Sequence, residues 1–346
     1  MFLTLCRRLS AIVMDKVSNE NRTVGIIGGG AAGMSCALWL KRLGHDPVIV
    51  EQRPALGGQL QDIERTNRWV LGSRNRSSPE LAVAYAEHVV AENIRVLSGT
   101  RVIGLASNSA PWDLIVEAPD GHASTLCCAR LVIATGTRVR THEALGYIAG
   151  FAAVRAAGLI SFWPLDHLGR PEALHDKRIA VIGGGDNAHF TVADLASLTD
   201  RLFLLSRSRP GAQPSIRATV EGLIESGRVV EYPGVEIVGL VPLEGGVQID
   251  ASQAGTGSIS IEVDMIFART GFMPNTDFLA TLGPLAELAR NTQGYLLTDA
   301  GKRTSLANVY AIGDVANPDY PAVVVSVADG AIAARAIIRD AATLIG

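Results

Sequence analysis

Two glycine motifs of the same kind constrain this chain more than any other feature, because each requires a strand before it and a helix after it. The first has the spacing G-x-G-x-x-G and the second has G-x-G-x-x-A; the six positions are Gly28, Gly30, Gly33, Gly183, Gly185 and Ala188. A β-branched run precedes each motif and an apolar stretch follows it. This context predicts two strand–turn–helix units, one near the start of the chain and one at its middle.

The chemistry behind the motif is the binding of a dinucleotide pyrophosphate. The first glycine makes the tight turn, the second lets the backbone approach the phosphates, and the third position lets helix and strand pack closely. The N-terminus of the next helix offers free N–H groups and the positive end of its dipole to the anion. The first motif therefore predicts a site that contains Gly28, Gly30, Ala32 and Gly33. Glu51, after a strand at residues 47–50, is predicted to accept hydrogen bonds from an adenosine ribose.

At the second motif the same reasoning predicts a nucleotide site at Gly183, Gly185, Asp186, Asn187 and Ala188. Two dinucleotides in one chain indicate electron transfer between them.

A third glycine motif lies near the C-terminus, where Gly313 and Asp314 end an apolar run and precede a helical pattern at residues 323–336. A carboxylate at the end of a strand is suited to accept hydroxyl hydrogen bonds from a polyol, while the helix N-terminus faces a polar ring edge. Residues 131–136 form another apolar run that ends in small residues, where we expect the backbone to pass close to a cofactor.

Charge and hydropathy exclude several function classes. The 346 residues carry a formal charge of −3 with scattered basic residues, which does not suggest a nucleic-acid partner. An uninterrupted apolar run long enough to span a membrane is absent from the sequence. Arg7 and Arg8 interrupt the apolar opening segment, so residues 1–20 are predicted to be an N-terminal extension, with Met14 as an alternative start, and the protein is expected to be cytoplasmic.

The four cysteines, at positions 6, 36, 127 and 128, do not form a C-x-x-C motif. Cys127 and Cys128 are adjacent on a predicted strand and so point to opposite faces. All four thiols are therefore interpreted as small hydrophobic side chains.

These motifs together resemble the low-molecular-weight thioredoxin reductase type of flavoprotein, within the pyridine nucleotide–disulfide oxidoreductases. The resemblance covers residues 23–341 and depends on the order and spacing of several segments, namely 28–33 with Glu51, 57–60, 134–136, 183–188, 271–276, 313–314 and 329–334.

The resemblance implies an α/β fold of two Rossmann-like three-layer nucleotide-binding domains, the second inserted into the first. The expected FAD-binding domain is discontinuous, at residues 21–140 and 270–346, and the expected NAD(P)H-binding domain spans residues 141–269. A homodimer is also implied. Beyond the first motif and Glu51, the implied FAD contacts are Gly58, Gln59, Ala134, Gly136, Gly313, Asp314 and Ala331.

One departure from the family changes the expected reaction. The family's catalytic C-x-x-C lies shortly before the second fingerprint, but residues 159–171 contain no sulfur. Without a dithiol, thiol–disulfide exchange is not available, so the chain is not expected to be a thioredoxin reductase. Asp166 and His167 are candidates for a proton relay, and Trp163 is a candidate for packing against a ring. The alternative is an ordinary surface loop in which Trp163 fills the space of the dithiol.

The residues after the strand at positions 202–205 give an indication of whether NADPH or NADH is preferred. Related NADPH enzymes carry H-R-R where this chain has Ser206, Arg207 and Ser208, and Arg209 follows. Arg207 and Arg209 are candidates for charge-assisted hydrogen bonds to a 2′-phosphate, which favours NADPH. A solvated basic turn is the alternative.

Three functions remain open. The first is an FAD-dependent NAD(P)H oxidoreductase that passes electrons to a non-thiol acceptor, such as a ferredoxin, a flavin, a quinone or another small molecule. The second is a flavin oxidase or dehydrogenase acting directly on a small molecule, with O2 as acceptor and Asp166 and His167 as acid–base groups. The third is a non-enzymatic flavoprotein that senses redox state or binds a partner. The intact second nucleotide motif favours the first.

Overall fold

The computed structural model of the protein describes residues 22–163, 166, 169, 171–209, 211–253 and 257–343. The predicted N-terminal extension, residues 1–20, and the candidate His167 lie outside the described residues.

Strands and helices alternate over residues 23–97 and 179–233, and a run of consecutive strands follows each of these stretches. The strands are β1 (Thr23–Ile27), β2 (Asp46–Val50), β3 (Arg95–Leu97), β4 (Arg101–Leu105), β5 (Trp112–Glu117), β6 (Ala123–Cys128), β7 (Arg130–Ile133), β8 (Thr137–Val139), β9 (Ile160–Ser161), β10 (Ile179–Ile182), β11 (Leu202–Ser206), β12 (Val229–Pro233), β13 (Val235–Leu243), β14 (Gly246–Gln253), β15 (Gly257–Val263), β16 (Met265–Ala268), β17 (Phe272–Pro274) and β18 (Val309–Ala311). The α-helices are α1 (Ala31–Arg42), α2 (Ser78–Ala91), α3 (His142–Leu145), α4 (Phe151–Ala156), α5 (Asp186–Leu195), α6 (Pro214–Glu225) and α7 (Val323–Thr343).

The chain forms two compact units, and the second is inserted into the first. Unit 1 contains the described parts of Met1–Arg138 and Met273–Gly346, and unit 2 contains those of Val139–Phe272. The predicted α/β fold with two Rossmann-like domains is confirmed.

The boundaries differ by a few residues from the expected ones, because residues 139, 140 and 270–272 belong to unit 2. The reason is a set of local hydrogen bonds that joins these residues to one another. Arg140 N donates to Gly271 O at 3.0 Å, and Arg140 Nε donates to Phe272 O at 3.0 Å. Thr270 Oγ1 in turn donates to Arg140 O at 2.8 Å.

Unit 1 is built on a parallel sheet with the order β18-β7-β1-β2-β3 in the described residues. The run of apolar residues in its inner strands is buried on both sides, as expected where helices cover one face and further structure covers the other. The antiparallel meander β4-β5-β6 contributes Trp112 and Leu114 to the core beside this sheet. The segment 101–116, whose alternation of side-chain types is typical of such strands, contains β4 and all of β5 except its last residue.

Helices α1 and α7 of unit 1 touch through their backbones at Gly330. A Cβ at this position would lie 2.6 Å from both Ala32 O and Cys36 N of α1. Such a distance is far inside van der Waals contact, so only glycine permits this approach. The last helix thereby packs directly on the first, beside the glycine turn that precedes α1.

Unit 2 repeats the plan with a parallel sheet in the order β12-β11-β10-β16-β9 and an antiparallel meander β13-β14-β15, again within the described residues. Inner strand β10 is buried at all four positions, and α5 follows it directly. None of the helices in the described part of the chain is long and apolar enough to cross a membrane. Among the same residues, clustered side chains that could hold a metal ion were not found.

Candidate functional site

The first glycine turn, between β1 and α1, is shaped by contacts that exclude side chains. Gly28 has φ +108° and lies against Ala134 O, which a Cβ would overlap. A Cβ at Gly33 would overlap Gly28 O, so the third glycine of the motif lets α1 pack against the turn. These two contacts give Gly28 and Gly33 the structural roles that the spacing predicts, and Ala134 contributes the carbonyl that Gly28 approaches.

Gly30 differs from Gly28 and Gly33, because a Cβ at Gly30 would point into open space. It is the N-cap of α1 with extended backbone (φ −74°, ψ −175°), and a Cβ placed on it would meet no described atom within 4 Å. The described residues provide no side-chain cap for this helix end. Free N–H groups and the positive dipole end of a 12-residue helix therefore face an open space, as a pyrophosphate requires.

Glu51, at the end of β2, binds the turn through both carboxylate oxygens. Its Oε2 accepts from Gly29 N at 2.7 Å and its Oε1 accepts from Arg53 N at 2.8 Å, and the side chain is buried. These bonds orient the carboxylate beside the glycine motif. Because each carboxylate oxygen can accept more than one hydrogen bond, the predicted contact with a ribose remains chemically available.

Gly58 and Gln59 belong to the segment that lies beside the first glycine turn. A Cβ on Gly58 would sit 3.2 Å from Gly30 Cα, which places this residue beside the open helix end. Gln59 Nε2 donates to Thr137 O at 2.7 Å and to Thr137 Oγ1 at 2.9 Å. Gly136 has φ +62° and accepts from Asn275 N at 2.9 Å.

Gly313 and Asp314, from the C-terminal part of unit 1, lie beside the start of α1. Gly313 has φ +69°, and a Cβ there would lie 2.8 Å from Ala32 Cβ, so this turn adjoins the start of α1. Asp314 is half-buried and accepts from Ser326 Oγ at 3.3 Å. Burial, opposed by the Ser326 hydrogen bond and reinforced by the nearby Asp329 carboxylate, raises the pKa of Asp314. Ala331 lies two residues after Asp329 in α7 and is half-buried.

A buried ion pair that the sequence did not reveal holds this turn. Asp329 Oδ2 accepts from Gly313 N at 3.2 Å, and its Oδ1 lies 2.6 Å from Lys302 Nζ. The Asp329 side chain is 4% exposed and that of Lys302 is 21% exposed. The charge pattern of the sequence carried no signal, because Lys302 and Asp329 belong to separate elements.

Replacing Lys302 with methionine is expected to destabilise unit 1 by about 3 kcal/mol, because it leaves the buried Asp329 carboxylate without its cation. The Gly313 turn should shift as a result, so FAD retention should fall as well. Thermal unfolding and the flavin content of the purified variant measure both effects. Arg42→Met is the matched control, since Arg42 is 67% exposed in its pair with Glu92 and its loss should cost under about 1 kcal/mol. Equal effects of the two substitutions would contradict the assigned role.

The second glycine turn, between β10 and α5 of unit 2, repeats the geometry of the first. Gly183 has φ +150° and adjoins Arg269 O, which a Cβ would overlap, and Ala188 Cβ would lie 3.2 Å away. Gly185 is the extended N-cap of α5, and a Cβ on it would meet no described atom within 4 Å. The same open helix end is therefore present in both units.

Two of the residues predicted to bind the second nucleotide also make structural bonds. Asp186 accepts from Gln213 N at 2.8 Å and from Gln213 Nε2 at 2.9 Å, which ties the start of α5 to the start of α6. Asn187 O accepts from Thr191 Oγ1 at 2.8 Å, and the Asn187 side chain is exposed.

Behind this turn lies a polar network that the sequence patterns did not indicate. His189 is fully buried, with Nδ1 3.0 Å from Gly185 O and Nε2 3.3 Å from Arg217 Nη1. Because Arg217 can only donate, Nε2 accepts and Nδ1–H donates to the Gly185 carbonyl. Arg217 also pairs with Glu231 through two hydrogen bonds of 2.5 and 2.9 Å. Through the bond from His189 to Gly185 O, this network holds the glycine turn in its orientation.

Arg207 and Arg209 follow β11 and are exposed. Neither guanidinium forms an ion pair with a residue that the structure describes. Ser206 is buried, and its Oγ donates to Ser208 O at 2.9 Å, which fixes the start of this basic turn. The two arginines are thus available to an anion at the end of β11.

The residues predicted to replace the dithiol have other contacts in unit 2. Asp166 Oδ1 lies 3.2 Å from Nη2 of Arg269, whose side chain is 1% exposed. Burial lowers the pKa of Arg269 and the Asp166 carboxylate opposes this shift, while Arg269 Nε also donates to Thr191 Oγ1 at 2.9 Å. Phe162 packs edge-on against Phe151 in the core of unit 2, with the two ring centroids 6.1 Å apart. Trp163 is half-buried.

Comparison with known proteins agrees with this architecture. Residues 22–330 match the model of the pyridine nucleotide-disulphide oxidoreductase family. Among curated proteins, the chain is 28% identical over 316 residues to the F component of alkyl hydroperoxide reductase of Pseudomonas aeruginosa, covering 88% of this chain and 56% of that protein. It is 29% identical over 319 residues to an NADH dehydrogenase of Ferdinandcohnia aciditolerans, covering 89% of this chain and 55% of that protein. The chain thus spans little more than half the length of these relatives.

Solved structures show the same fold. Thioredoxin reductase of Lactococcus lactis superposes with a TM-score of 0.77 at 22% identity, covering 93% of this chain and all of that one. The bacillithiol disulfide reductase Bdr of Bacillus cereus superposes with a TM-score of 0.75 at 19% identity, covering 92% and 99% of the two chains.

Proposed function

The chain belongs to the pyridine nucleotide-disulphide oxidoreductase family, and we propose that it is an FAD-dependent NAD(P)H oxidoreductase that passes electrons to a non-thiol acceptor. The observation that carries this proposal is the presence of two complete glycine turns, one in each unit, with Gly30 and Gly185 at open helix ends. A protein that only bound FAD would not need the second turn. The acceptor class is a ferredoxin, a flavin, a quinone or another small molecule.

The residues of unit 1 fit FAD. The open end of α1 at Gly30 would bind the pyrophosphate, Glu51 the adenosine ribose and Asp314 the ribitol hydroxyls. Bound FAD supplies a group that takes two electrons and a proton equivalent from reduced nicotinamide and passes the electrons on. The protein would hold and orient the FAD. Gly29 N orients the Glu51 carboxylate by donating to it, and Ser326 Oγ does the same for the Asp314 carboxylate.

The thiols of the described part of the chain support a non-thiol acceptor. Cys36 and Cys128 are buried, and burial raises the pKa of both thiols, that of Cys128 to about 12. A thiol that stays protonated is a poor nucleophile for disulfide exchange. Cys127 is next to Cys128 on β6 and is half-buried, so the two thiols lie on opposite faces of the strand. The sequence offers no C-x-x-C that would replace them.

One of the two curated relatives is named an NADH dehydrogenase, which supports a nicotinamide nucleotide as electron donor, and the other is named a component of alkyl hydroperoxide reductase. We propose that this chain uses NADPH in preference to NADH, because Arg207 and Arg209 are exposed directly after β11, where the end of a Rossmann strand meets the adenosine ribose. A cytoplasmic homodimer is part of the same proposal.

Arg207→Glu is expected to raise the KM for NADPH by roughly tenfold to a hundredfold, because a charge-assisted hydrogen bond to the 2′-phosphate is replaced by repulsion. The KM for NADH should change little. Steady-state kinetics with both nucleotides measure the difference. Arg201→Glu is the control, since Arg201 is exposed in the same unit but precedes β11 at its other end. An equal loss with NADPH and NADH would contradict a 2′-phosphate contact.

The proposed function is tested by mixing the FAD-loaded protein anaerobically with NADPH and, separately, with NADH in a stopped-flow spectrometer. Rapid loss of the oxidised-flavin absorbance with either nucleotide is expected, and the faster one identifies the physiological donor. A screen of ferredoxin, free flavins and quinones as acceptors then follows. If neither nucleotide bleaches the flavin, the second glycine turn does not serve hydride transfer and the proposal is wrong.

A further inference from the structure

A hairpin in unit 1 concentrates positive charge in a chain of net negative charge. Residues 65–78, called here the basic hairpin, contain Arg65, Arg68, Arg74 and Arg76 and no acidic residue, whereas the whole chain carries −3. Arg68, Arg74 and Arg76 are exposed. Within the described residues, Arg68 and Arg74 form no ion pair, so their charges are not neutralised by the protein.

The basic hairpin also presents two large apolar side chains at its tip. Trp69 is 83% exposed and Leu71 is 100% exposed. Val70, between them, packs against the buried cluster of Leu60, Leu81 and Ala82. Val70 is therefore anchored to the core of unit 1, while Trp69 in the bend and Leu71 in the turn on either side of it are exposed.

Hydrogen bonds hold the hairpin in this form. Asn67 N donates to Arg76 O at 2.8 Å and Ser78 N donates to Arg65 O at 2.9 Å, which joins the two arms. At the tip, Ser73 N donates to Val70 O at 3.1 Å across a turn in which Gly72 has φ +82°. Leu71 thus sits at the apex of a closed turn, with arginines before and after it in the chain.

We propose that the basic hairpin docks on an anionic phospholipid bilayer. Tryptophan favours the headgroup region, a leucine at the apex reaches the acyl boundary, and the flanking arginines meet lipid phosphates. An isolated apolar tip would need a matching pocket on a protein partner, whereas a fluid bilayer adapts to it. The docking goes beyond the proposed reaction and does not depend on the identity of the acceptor.

Vesicle co-sedimentation of the FAD-loaded protein tests the proposal. Vesicles of phosphatidylcholine with one third phosphatidylglycerol should bind the protein at low salt, and vesicles of phosphatidylcholine alone should bind it far less. High salt should weaken the binding, because it screens the arginines. Trp69→Ser combined with Leu71→Ser should weaken binding at least about tenfold, and Arg68→Glu at least about fivefold.

Two matched controls separate the hairpin from general surface effects. Val90→Ser removes a side chain that is 69% exposed on α2, and Arg95→Glu reverses an exposed charge on β3. Both controls should bind vesicles as the wild type does, and all variants should keep their flavin and their thermal stability. Binding that ignores lipid charge, or that the hairpin and control variants weaken equally, overturns the proposal. It is also overturned if vesicles do not bind and the hairpin instead mediates association with an acidic carrier protein or with a second copy of the chain.

Discussion

Gly30→Glu is expected to give a folded protein that no longer retains FAD. The backbone of Gly30 is extended and a Cβ there would meet no described atom within 4 Å, so the new side chain does not disturb the packing of unit 1. Its carboxylate would occupy the open helix end where the pyrophosphate is expected. Two like charges about 4 Å apart at an effective dielectric constant of about 20 repel by about 4 kcal/mol, which corresponds to roughly a thousandfold weaker binding.

Flavin absorbance after gel filtration, together with circular dichroism, measures the loss. The control is Gly222→Glu, because Gly222 is exposed on α6 and a Cβ there also meets no described atom within 4 Å. That variant should keep FAD. A Gly30→Glu protein with full flavin content would show that the first turn does not bind the pyrophosphate of FAD.

Gly185→Glu is expected to have the complementary phenotype: a protein with full flavin content that neither NADPH nor NADH reduces at an appreciable rate. Gly185 has the same extended backbone and the same open surroundings at the start of α5. The introduced carboxylate would repel the pyrophosphate of the nicotinamide nucleotide by about 4 kcal/mol, since the separation and the effective dielectric constant are the same as at Gly30. Unit 1 should remain intact.

Anaerobic stopped-flow reduction of the yellow variant measures this prediction, with dithionite as a chemical reductant to show that the flavin itself remains reducible. Gly222→Glu should be reduced by the nicotinamide nucleotides at the wild-type rate. Normal reduction of Gly185→Glu would mean that the nicotinamide nucleotide binds elsewhere. A Gly185→Glu protein without flavin would mean instead that the two units are not independent in binding.

The nucleotide turns were predictable from sequence because their requirements are local. Gly28 and Gly183 need positive φ and a close carbonyl, Gly33 and Ala188 need small side chains, and strand and helix patterns flank each group. Such requirements leave a fixed spacing in the chain. The inserted arrangement of the two units followed from the family resemblance, and its crossings in the structure lie two or three residues from the expected ones.

The unpredicted features depend on contacts between distant residues. Asp329 pairs with Lys302 across separate elements, and His189 reaches Arg217 and, through it, Glu231. Arg269 follows an apolar strand and gives no sequence signal of its pairing with Asp166. The acid–base role proposed for Asp166 stays a prediction, and any test of it has to allow for loss of this ion pair.

The antiparallel strands β13, β14 and β15 were also not predicted. The alternation of β13 is interrupted by a shift of register between Ile237 and Gly239. A one-residue irregularity of this kind moves side chains to the opposite face and obscures the period of two.

The contact at Gly330 sets an order of events during synthesis. Unit 1 needs β18 at the edge of its sheet and α7 against α1, yet the ribosome makes all of unit 2 before either element emerges. Since domains fold as units while the chain grows, unit 2 completes its core first. On the nascent chain, the apolar faces of α1 and β7 remain exposed to solvent until β18 and α7 have been synthesised. A chain stalled before β18 should therefore engage chaperones through its N-terminal part, while unit 2 is already resistant to protease.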